Sequence, residues 1–239
     1  PPPPLAHFVN VVYLLHVLHE SPATPKDRRH RANLARILDA ASTVVFEEGV
    51  DALSIKRVAE RADYTGGAIY RYFPSKDALL AAVVARAIDD LGVRLEAASH
   101  TTAGPLARVV AQTRAYRDFS REAPHAFALV ATMVNDPRRL VTDAESVNGV
   151  LVRTVRAMHC VVVALNECVA SGELEPADVN VRALTLFVGL QGALQLRKLE
   201  GRAPAWVQAD AVFDATLHAL LRGFGARTET LRDVLALGR

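Results

Sequence analysis

The chain has 239 residues, of which 51% are hydrophobic, and it carries a formal net charge of +2 at pH 7. This hydrophobic content is enough to build a buried core, and it excludes a chain that is disordered along its whole length. The small net charge excludes a polycation that binds nucleic acid over its whole surface, so any basic face must be local.

The first 25 residues are a predicted N-terminal extension. They open with four prolines and continue into residues 5–18, an apolar stretch of fourteen residues that predicts an additional helix. This stretch is too short to span a bilayer, which needs about 20 residues, and no basic segment precedes it as in a signal peptide. We expect the helix to pack on the body of the protein or on a partner subunit, and we expect no membrane partner. His16 and His19 have i, i+3 spacing, but no further ligand at matching spacing supports a metal site.

A basic arm follows at residues 26–31 and leads into the first long predicted helix, residues 27–48, which Gly49 ends. Apolar side chains recur along this helix at the spacing of one buried face. Residues 26–76 hold ten Lys or Arg against seven Asp or Glu, whereas the rest of the chain has no positive excess. Any nucleic-acid face should therefore lie in the first third of the chain.

Residues 54–80 predict a short helix, a tight turn, a second short helix and the start of a third. Ser54 is a candidate N-cap, and Ile55 begins an amphipathic pattern that continues to Ala62. Thr65 can cap the second helix, and a proline at position 74 ends it. This is the layout of a helix-turn-helix, which places its second helix in the major groove of DNA.

The rest of the chain reads as helix throughout, with glycine or proline at each boundary and no convincing strand alternation. We therefore predict an all-α fold, with a three-helix N-terminal DNA-binding domain and a larger C-terminal helical bundle. After the connecting helix that begins near residue 76, helices are predicted at 105–121, 124–134, 138–171, 178–200, 204–223 and, weakly, 228–236. The predicted domains are an extension (1–25), a helix-turn-helix domain (26–78), a ligand-binding and dimerisation domain (79–226) and a tail (227–239).

The two cysteines, Cys160 and Cys168, fall on one predicted helix. Eight residues of helix separate them by about 12 Å along the axis, which is too far for a disulfide within the chain. We interpret them as small apolar side chains of a protein in the reducing cytoplasm.

Residue types in and before the helix-turn-helix suit DNA contact. Hydroxyls at helix starts and lysines meet phosphate oxygens, arginine reads a guanine edge, and glycine lets the backbone approach closely. Taken singly, the aromatic residues fit a core and the cations fit a solvated face, but together the spacing favours DNA binding. The candidate DNA-binding residues are Arg28, Arg29, Arg31, Ser54, Lys56, Arg57, Tyr64, Thr65, Gly66, Gly67, Tyr70, Arg71, Tyr72 and Lys76.

Residues 54–80 resemble the DNA-binding signature of the TetR family of transcriptional regulators. That pattern runs roughly Thr-x-x-x-Ile-Ala-x-x-Ala-Gly-Val-Ser-x-Gly-x-Leu-Tyr-x-Tyr-Phe-x-x-Lys-x-x-Leu. Its key positions are occupied here by identical or similar residues: Ser54, Val58, Ala59, Ala62, Thr65, Gly67, Ile69, Tyr70, Tyr72, Phe73, Lys76 and Leu79. The resemblance covers about residues 30–90, and beyond residue 100 only the architecture is similar.

Two residues depart from the family pattern. Asp63 stands where the family has glycine in the turn, and aspartate tolerates left-handed backbone better than most residues, so we expect the turn to form with some strain. Gly66 lies just inside the recognition helix, where many relatives carry a base-reading side chain, and it costs about 1 kcal/mol of helix propensity relative to alanine. We expect fewer direct base contacts as a result.

The resemblance also implies a homodimer that binds double-stranded operator DNA, and a pocket for a hydrophobic or amphipathic small-molecule effector. In the family the last two long helices of each subunit form the dimer interface. The interface residues expected here are Leu184, Phe187, Val188, Gly192, Phe213, Leu217 and Leu220. The expected pocket residues are Tyr116, Phe119, Phe127, Met133, Met158, His159, Asn166 and Gln191.

We interpret the chain as a ligand-responsive transcriptional regulator, in the repressor mode. The first alternative is a helical protein-interaction module that has lost sequence-specific DNA reading, which Asp63 and Gly66 motivate. A ligand-handling enzyme is the second, but no Gly-rich phosphate loop, GxSxG or HExxH motif is present, and no cofactor is expected.

Overall fold

A computed structural model describes residues 24–100, 104–136 and 138–237, and throughout these residues the regular structure is helical. The all-α prediction is confirmed. The predicted N-terminal helix at 5–18 and the His16/His19 pair lie outside the described residues. The α-helices in chain order are α1 (Pro25–Glu48), α2 (Ile55–Ala62), α3 (Gly66–Tyr70), α4 (Lys76–Ala98), α5 (Pro105–Glu122), α6 (Pro124–Asn135), α7 (Ala144–Ala170), α8 (Val179–Gln195), α9 (Ala209–Gly223) and α10 (Thr228–Ala236). Short 3₁₀ helices occupy Val50–Ala52 and Leu196–Leu199.

The chain divides into two compact units. The first contains the chain through Asp89 together with His125–Arg156, and the second contains Asp90–Pro124 together with Ala157–Arg239. The divisions fall inside α4 and α7 and at the start of α6. The predicted boundary between residues 78 and 79 marks the end of the helix-turn-helix motif, whereas the two units are defined by how compactly the chain folds. The predicted domain boundaries stay a prediction.

Helix α1 begins two residues earlier than the sequence predicts, because Pro25 takes the first helical position instead of ending a linker. Proline is tolerated there, since its missing N–H has no partner in the first turn. Thr24 and Asp27 form a capping box, in which the Asp27 N–H donates to the Thr24 hydroxyl and the Thr24 N–H donates to the carboxylate. The Thr24 hydroxyl also donates to this carboxylate at 2.8 Å, and this bond, together with the one from the Thr24 N–H, lowers the pKa of Asp27. The predicted basic arm is therefore the first two turns of a helix.

The turn between α2 and α3 is held by its backbone and by one arginine. Asp63 has φ 60° and ψ 48°, the left-handed conformation that we expected at this position. The next N–H, of Tyr64, donates to the carbonyl of Ala59 at 2.9 Å and closes the end of α2. Arg36 of α1 donates to the carbonyl of Ala62 and lies over the Tyr64 ring. Helices α1 to α4 each contribute one fully buried side chain to the core of this unit: Ile37, Val58, Ile69 and Leu79.

Two helices begin later than predicted because side chains hold the preceding residues in loops. Before α7, the Asp77 carboxylate accepts hydrogen bonds from the N–H and the hydroxyl of Thr142, at 2.8 and 2.7 Å. Before α9, the Glu200 carboxylate accepts from the N–H of Ala209 at 2.7 Å and caps that helix from outside. The first contact spans 65 residues and the second spans nine, and both lie beyond the turn-to-turn spacing that local periodicity reports.

Helix α7 carries both cysteines and is long and largely apolar. Both thiols are free, and burial raises the pKa of Cys168 to about 12, so this thiol stays protonated and inert. By length and composition alone α7 is apolar enough to cross a membrane. One such helix is weak support for a membrane protein, because helices in soluble bundles pass the same test.

Candidate nucleic-acid interface

Helix α3 has one buried and one exposed face. Ile69 is fully buried and Phe73, just beyond the helix, is 6% exposed, so these two side chains anchor α3 in the core of the first unit. On the opposite face Gly67 and Arg71 are exposed, and Tyr70 leaves 57% of its surface open. A large aromatic side chain so exposed on a five-residue helix gains nothing from the core of its own unit, which is typical of a contact surface.

The predicted phosphate-contacting hydroxyls lie at the starts of α2 and α3. Ser54 accepts the N–H of Arg57 and Thr65 accepts the N–H of Ala68, each at 3.2 Å. Both side chains are exposed, so each oxygen caps its helix while the hydroxyl group stays accessible to solvent. Lys76 is also exposed, and its ammonium group lies 3.4 Å from the backbone carbonyl of Asp51.

Tyr72 joins the helix-turn-helix to the basic start of α1. Its ring stacks on His30 with a centroid distance of 4.9 Å, and the Asn33 amide donates to its hydroxyl at 3.3 Å. Lys26 and Arg29 line an open groove of about 370 Å³ beside these three side chains. Sequence analysis did not single out Asn33, because its contact with Tyr72 spans 39 residues of chain.

The predicted cations differ in their partners. Lys56 lies 3.9 Å from Glu60, and Arg57 pairs with Glu48 at the end of α1. Within the described ranges Arg71 forms no ion pair, and Arg29 likewise forms none, so their full charge is available to a phosphate. Arg28 and Arg31 are exposed on the first two turns of α1, and Tyr64 is half-buried under Arg36.

The residues predicted to line a ligand pocket are divided between the two units. Tyr116 and Gln191 meet in the second unit, where the tyrosine hydroxyl lies 3.4 Å from the amide oxygen. Phe119 is fully buried in the same unit, and Met158 and His159 are half-buried on α7. Asn166 is exposed, and its amide donates to a carbonyl of its own helix, so this side chain faces solvent. Phe127 and Met133 belong to the first unit, on α6.

The residues predicted for the dimer interface separate into two sets. Leu184 and Val188 are each 56% exposed, and Val181, which the sequence analysis did not include, adds a third exposed side chain at 58%. These three positions recur at i, i+3 and i+7 and form a continuous apolar strip on α8. Gly192 lies exposed one turn further along.

By contrast, Phe213 and Leu217 of α9 are 0% and 1% exposed. They hold α9 against the rest of their own unit, so their burial gives no support to the predicted role in an interface, which stays a prediction. Leu220 packs on Gly189, where an added Cβ would approach its Cδ1 to 3.1 Å, and Phe187 packs on the Tyr116 ring.

Fold and site together define a helix-turn-helix DNA-binding protein whose second unit is a helical bundle. A family model described as bacterial regulatory proteins of the tetR family matches residues 37–83, and a tetracyclin repressor-like C-terminal domain matches residues 109–220. The two models together match more than half of the chain, which belongs to the TetR family. Members of this family are transcriptional regulators and not enzymes.

Among curated relatives, the HTH-type transcriptional repressor KstR of Mycolicibacterium smegmatis is 36% identical over 93 residues, which are 39% of this chain and 45% of that repressor. The chain thus matches less than half the length of this relative. KstR2 of the same organism is 26% identical over 169 residues, which are 71% of this chain and 78% of that protein.

Solved structures support the fold. A putative tetR family regulator from Shewanella has a TM-score of 0.65 at 15% identity and covers 82% of this chain and 99% of its own. The regulator FadR from Bacillus subtilis, in complex with stearoyl-CoA, has a TM-score of 0.65 at 17% identity, with coverages of 80% and 98%. At these identities the likeness concerns the fold alone.

Proposed function

We propose that this chain is a TetR-type repressor that binds operator DNA as a homodimer and is released by a small, largely apolar ligand. The observation that carries the DNA-binding part is the two-sided character of α3. Ile69 is fully buried, whereas Tyr70 next to it is 57% exposed on the side that carries Gly67 and Arg71. A short helix anchored in this way can enter the major groove without disturbing its own core.

The residue roles follow from exposure and chemistry. Ser54, Thr65, Tyr70 and Lys76 contact backbone phosphates and set the register of the protein on the duplex. Arg71 and the side-chain-free backbone at Gly67 face base edges. The first two turns of α1, with Arg28, Arg29 and Arg31, hold an adjacent run of phosphates.

The homodimer is supported by the apolar strip of Val181, Leu184 and Val188 on α8. Three aliphatic side chains more than half exposed in a row are costly in a monomer, and a two-fold partner would bury the same strip on both subunits. Two recognition helices related by a two-fold axis would read half-sites one helical turn, or a multiple of a turn, apart.

The ligand part is supported by the name and the ligand of related proteins. KstR is named a repressor, and FadR is described with stearoyl-CoA. For this chain we place the ligand within residues 105–200, and its binding would change the spacing of the two recognition helices. No cofactor and no membrane are part of the proposal, and a cytoplasmic location stays a prediction.

The test is fluorescence anisotropy with the DNA upstream of the chain's own gene, between about 50 and 200 mM salt. We expect specific binding that weakens steeply as salt rises, because counterions are released from the phosphates. Arg71→Ala should change the preferred base sequence, and an intact preference would show that Arg71 only positions the helix. Absence of binding at every salt concentration would favour the protein-interaction module instead.

A further inference from the structure

The core of the second unit contains two amide atoms without a hydrogen-bond partner among the described residues. They are the nitrogen Nε2 of Gln191, a residue 2% exposed, and the oxygen Oε1 of Gln112, a residue 1% exposed. A buried polar atom that has given up water and gained no partner destabilises the fold. Such atoms are rare in native proteins, and each one needs a reason.

Tyr116 of α5 and Gln191 of α8 form a polar seam, and Gln112 extends it along α5 toward Ser99, which follows α4. The Tyr116 hydroxyl donates to the Gln191 oxygen at 3.4 Å, and Gln112 lies one helical turn before Tyr116 on the same face of α5. The Gln112 nitrogen donates to the Ser99 hydroxyl at 2.7 Å. Burial raises the pKa of Tyr116, so its O–H group is kept. A 180° rotation of the Gln191 amide would exchange the positions of its oxygen and nitrogen. In either orientation one amide atom faces the Tyr116 hydroxyl and the other has no partner.

The seam offers neutral hydrogen-bonding groups, because the neighbouring guanidinium groups are engaged elsewhere. The arginines of α5 and their partners are Arg108 with Glu167, Arg114 with the carbonyls of Leu235 and Leu237, Arg117 with Asp118 and Asp214, and Arg121 with Asp210. The buried Nε of Arg117 makes no hydrogen bond, but the two carboxylates compensate the charge of this guanidinium group. On α8, Arg182 donates to the carbonyls of Glu175 and Phe224. The rest of the surroundings is apolar, with Phe119, Leu190 and Leu194 fully or almost fully buried.

We infer that the seam between α5 and α8 binds an uncharged, mostly apolar molecule through a hydroxyl or carbonyl oxygen, which pairs with the free amide atom of Gln191. This inference rests on the ligand part of the proposed function and names the ligand class. A carboxylate or ammonium group would be buried here without a free counter-charge, which is far more costly than burying a hydroxyl that finds an amide partner.

The test uses the full chain without DNA and follows thermal unfolding with matched probes. The uncharged probes are decan-1-ol and 4-octylphenol, and the charged counterparts are decanoate and decylamine. We expect the uncharged probes to raise the melting temperature and the charged probes to raise it much less at equal concentration. Equal or larger shifts with decanoate or decylamine, or no shift with either uncharged probe, would overturn the inference.

Variants of Gln191 separate a ligand contact from a structural role. Gln191→Leu and Gln191→Met remove a polar group that is unsatisfied without ligand, so the unliganded melting temperature should rise by about 2 to 4 °C. The affinity for decan-1-ol should fall by about threefold to tenfold, the worth of one hydrogen bond. Asn148→Leu, which changes an exposed amide on α7 that belongs to none of the predicted sites, is the matched control and should leave probe affinity unchanged.

Two results would refute the role of Gln191. If both variants melt at a lower temperature and bind decan-1-ol as the original chain does, an ordered water satisfies the amide and the seam is structural. If both variants lose binding of charged and uncharged probes alike, Gln191 shapes the core without selecting an oxygen. Because these assays contain no DNA, failure to bind an operator would overturn the proposed function alone.

Discussion

Replacing Asp63 by glycine should stabilise the helix-turn-helix. Asp63 is the single non-glycine residue of the described chain with positive φ. The left-handed conformation costs about 1 to 2 kcal/mol for an ordinary L-residue and less for aspartate. Glycine avoids this cost, but it raises the conformational entropy of the unfolded chain, which lowers the free energy of unfolding by about 0.4 to 1 kcal/mol. We therefore expect Asp63→Gly to raise the free energy of unfolding by about 0.5 kcal/mol, and Asp63→Ala to lower it by about 0.5 to 1 kcal/mol.

The assay is urea denaturation at pH 7, followed by helical circular dichroism, with the transition midpoints of all variants compared at one protein concentration. Glu60→Gly is the matched control, because Glu60 is exposed within α2 and glycine there should cost about 1 kcal/mol. If Asp63→Gly destabilises the protein as much as Glu60→Gly does, the turn does not impose the left-handed conformation, and the reasoning about the Asp63 departure is wrong.

Four further predictions follow from particular contacts. Gly67→Ala should stabilise the free protein by about 1 kcal/mol, since an added Cβ meets nothing within 4 Å. The same change should weaken operator binding at least tenfold, because the methyl group blocks close approach of the backbone to DNA; unchanged affinity in fluorescence anisotropy would contradict this. Lys76→Ala should weaken binding to all sequences and reduce the salt slope by about one for each subunit on DNA; an unchanged slope would remove Lys76 from the phosphate contacts. Val188→Asp should shift the protein to monomers in analytical ultracentrifugation, whereas Leu151→Asp, at a residue equally exposed on α7, should not; equal behaviour of the two would refute the strip. Hydrogen bonds from Thr142 lower the pKa of Asp77. These bonds therefore stabilise the folded protein above the ordinary aspartate pKa, and their contribution is lost as pH falls through the lower pKa of the folded state. In Thr142→Val the free energy of unfolding should decrease less steeply below about pH 4, and an unchanged pH profile would contradict this.

Local chemistry accounts for the parts of the fold that were predictable. Ser54 and Thr65 were expected to cap α2 and α3 and do so, and Asp63 was expected to take the left-handed conformation. Each of these features is decided within a few residues of chain, by a hydroxyl that reaches its own helix start or by a side chain that tolerates positive φ. The start of the recognition helix was therefore within reach of sequence reasoning, whereas its end lies at Tyr70 and not at Pro74 as the sequence predicted.

Features set by distant contacts were not predictable. The late start of α7 depends on Thr142 reaching Asp77 across 65 residues. The position of Tyr72 depends on His30 and Asn33, which lie in a helix that sequence reasoning treated mainly as a source of charge. Periodicity reports which residues share a helix face but not which neighbour covers that face.

The residues of the predicted dimer interface differ in exposure for the same reason, and the interface itself stays a prediction. Helices α8 and α9 are both apolar on more than one face, so the residue types at Leu184 and Phe213 are equally suited to a core or to a partner surface. Only the packing of the subunit separates them, leaving Leu184 56% exposed and Phe213 fully buried. This packing leaves Val181, Leu184 and Val188 exposed together, and the homodimer that we propose would use this strip.

Three features of this chain weaken the isolated subunit, and each lies where a partner has been proposed. The glycines at 66 and 67 lower the helix propensity of α3 although no neighbouring atom within 4 Å requires their lack of a side chain. The strip that includes Val188 leaves apolar surface in water, and the Gln191 amide is buried with one atom unpaired. A sequence shaped for folding alone would replace all three, with alanine, a polar residue and leucine respectively. Their retention is explained if the glycines meet DNA, the strip meets a second copy of the chain and the amide meets a ligand oxygen, and each explanation fails separately if its substitution leaves that partner's binding unchanged.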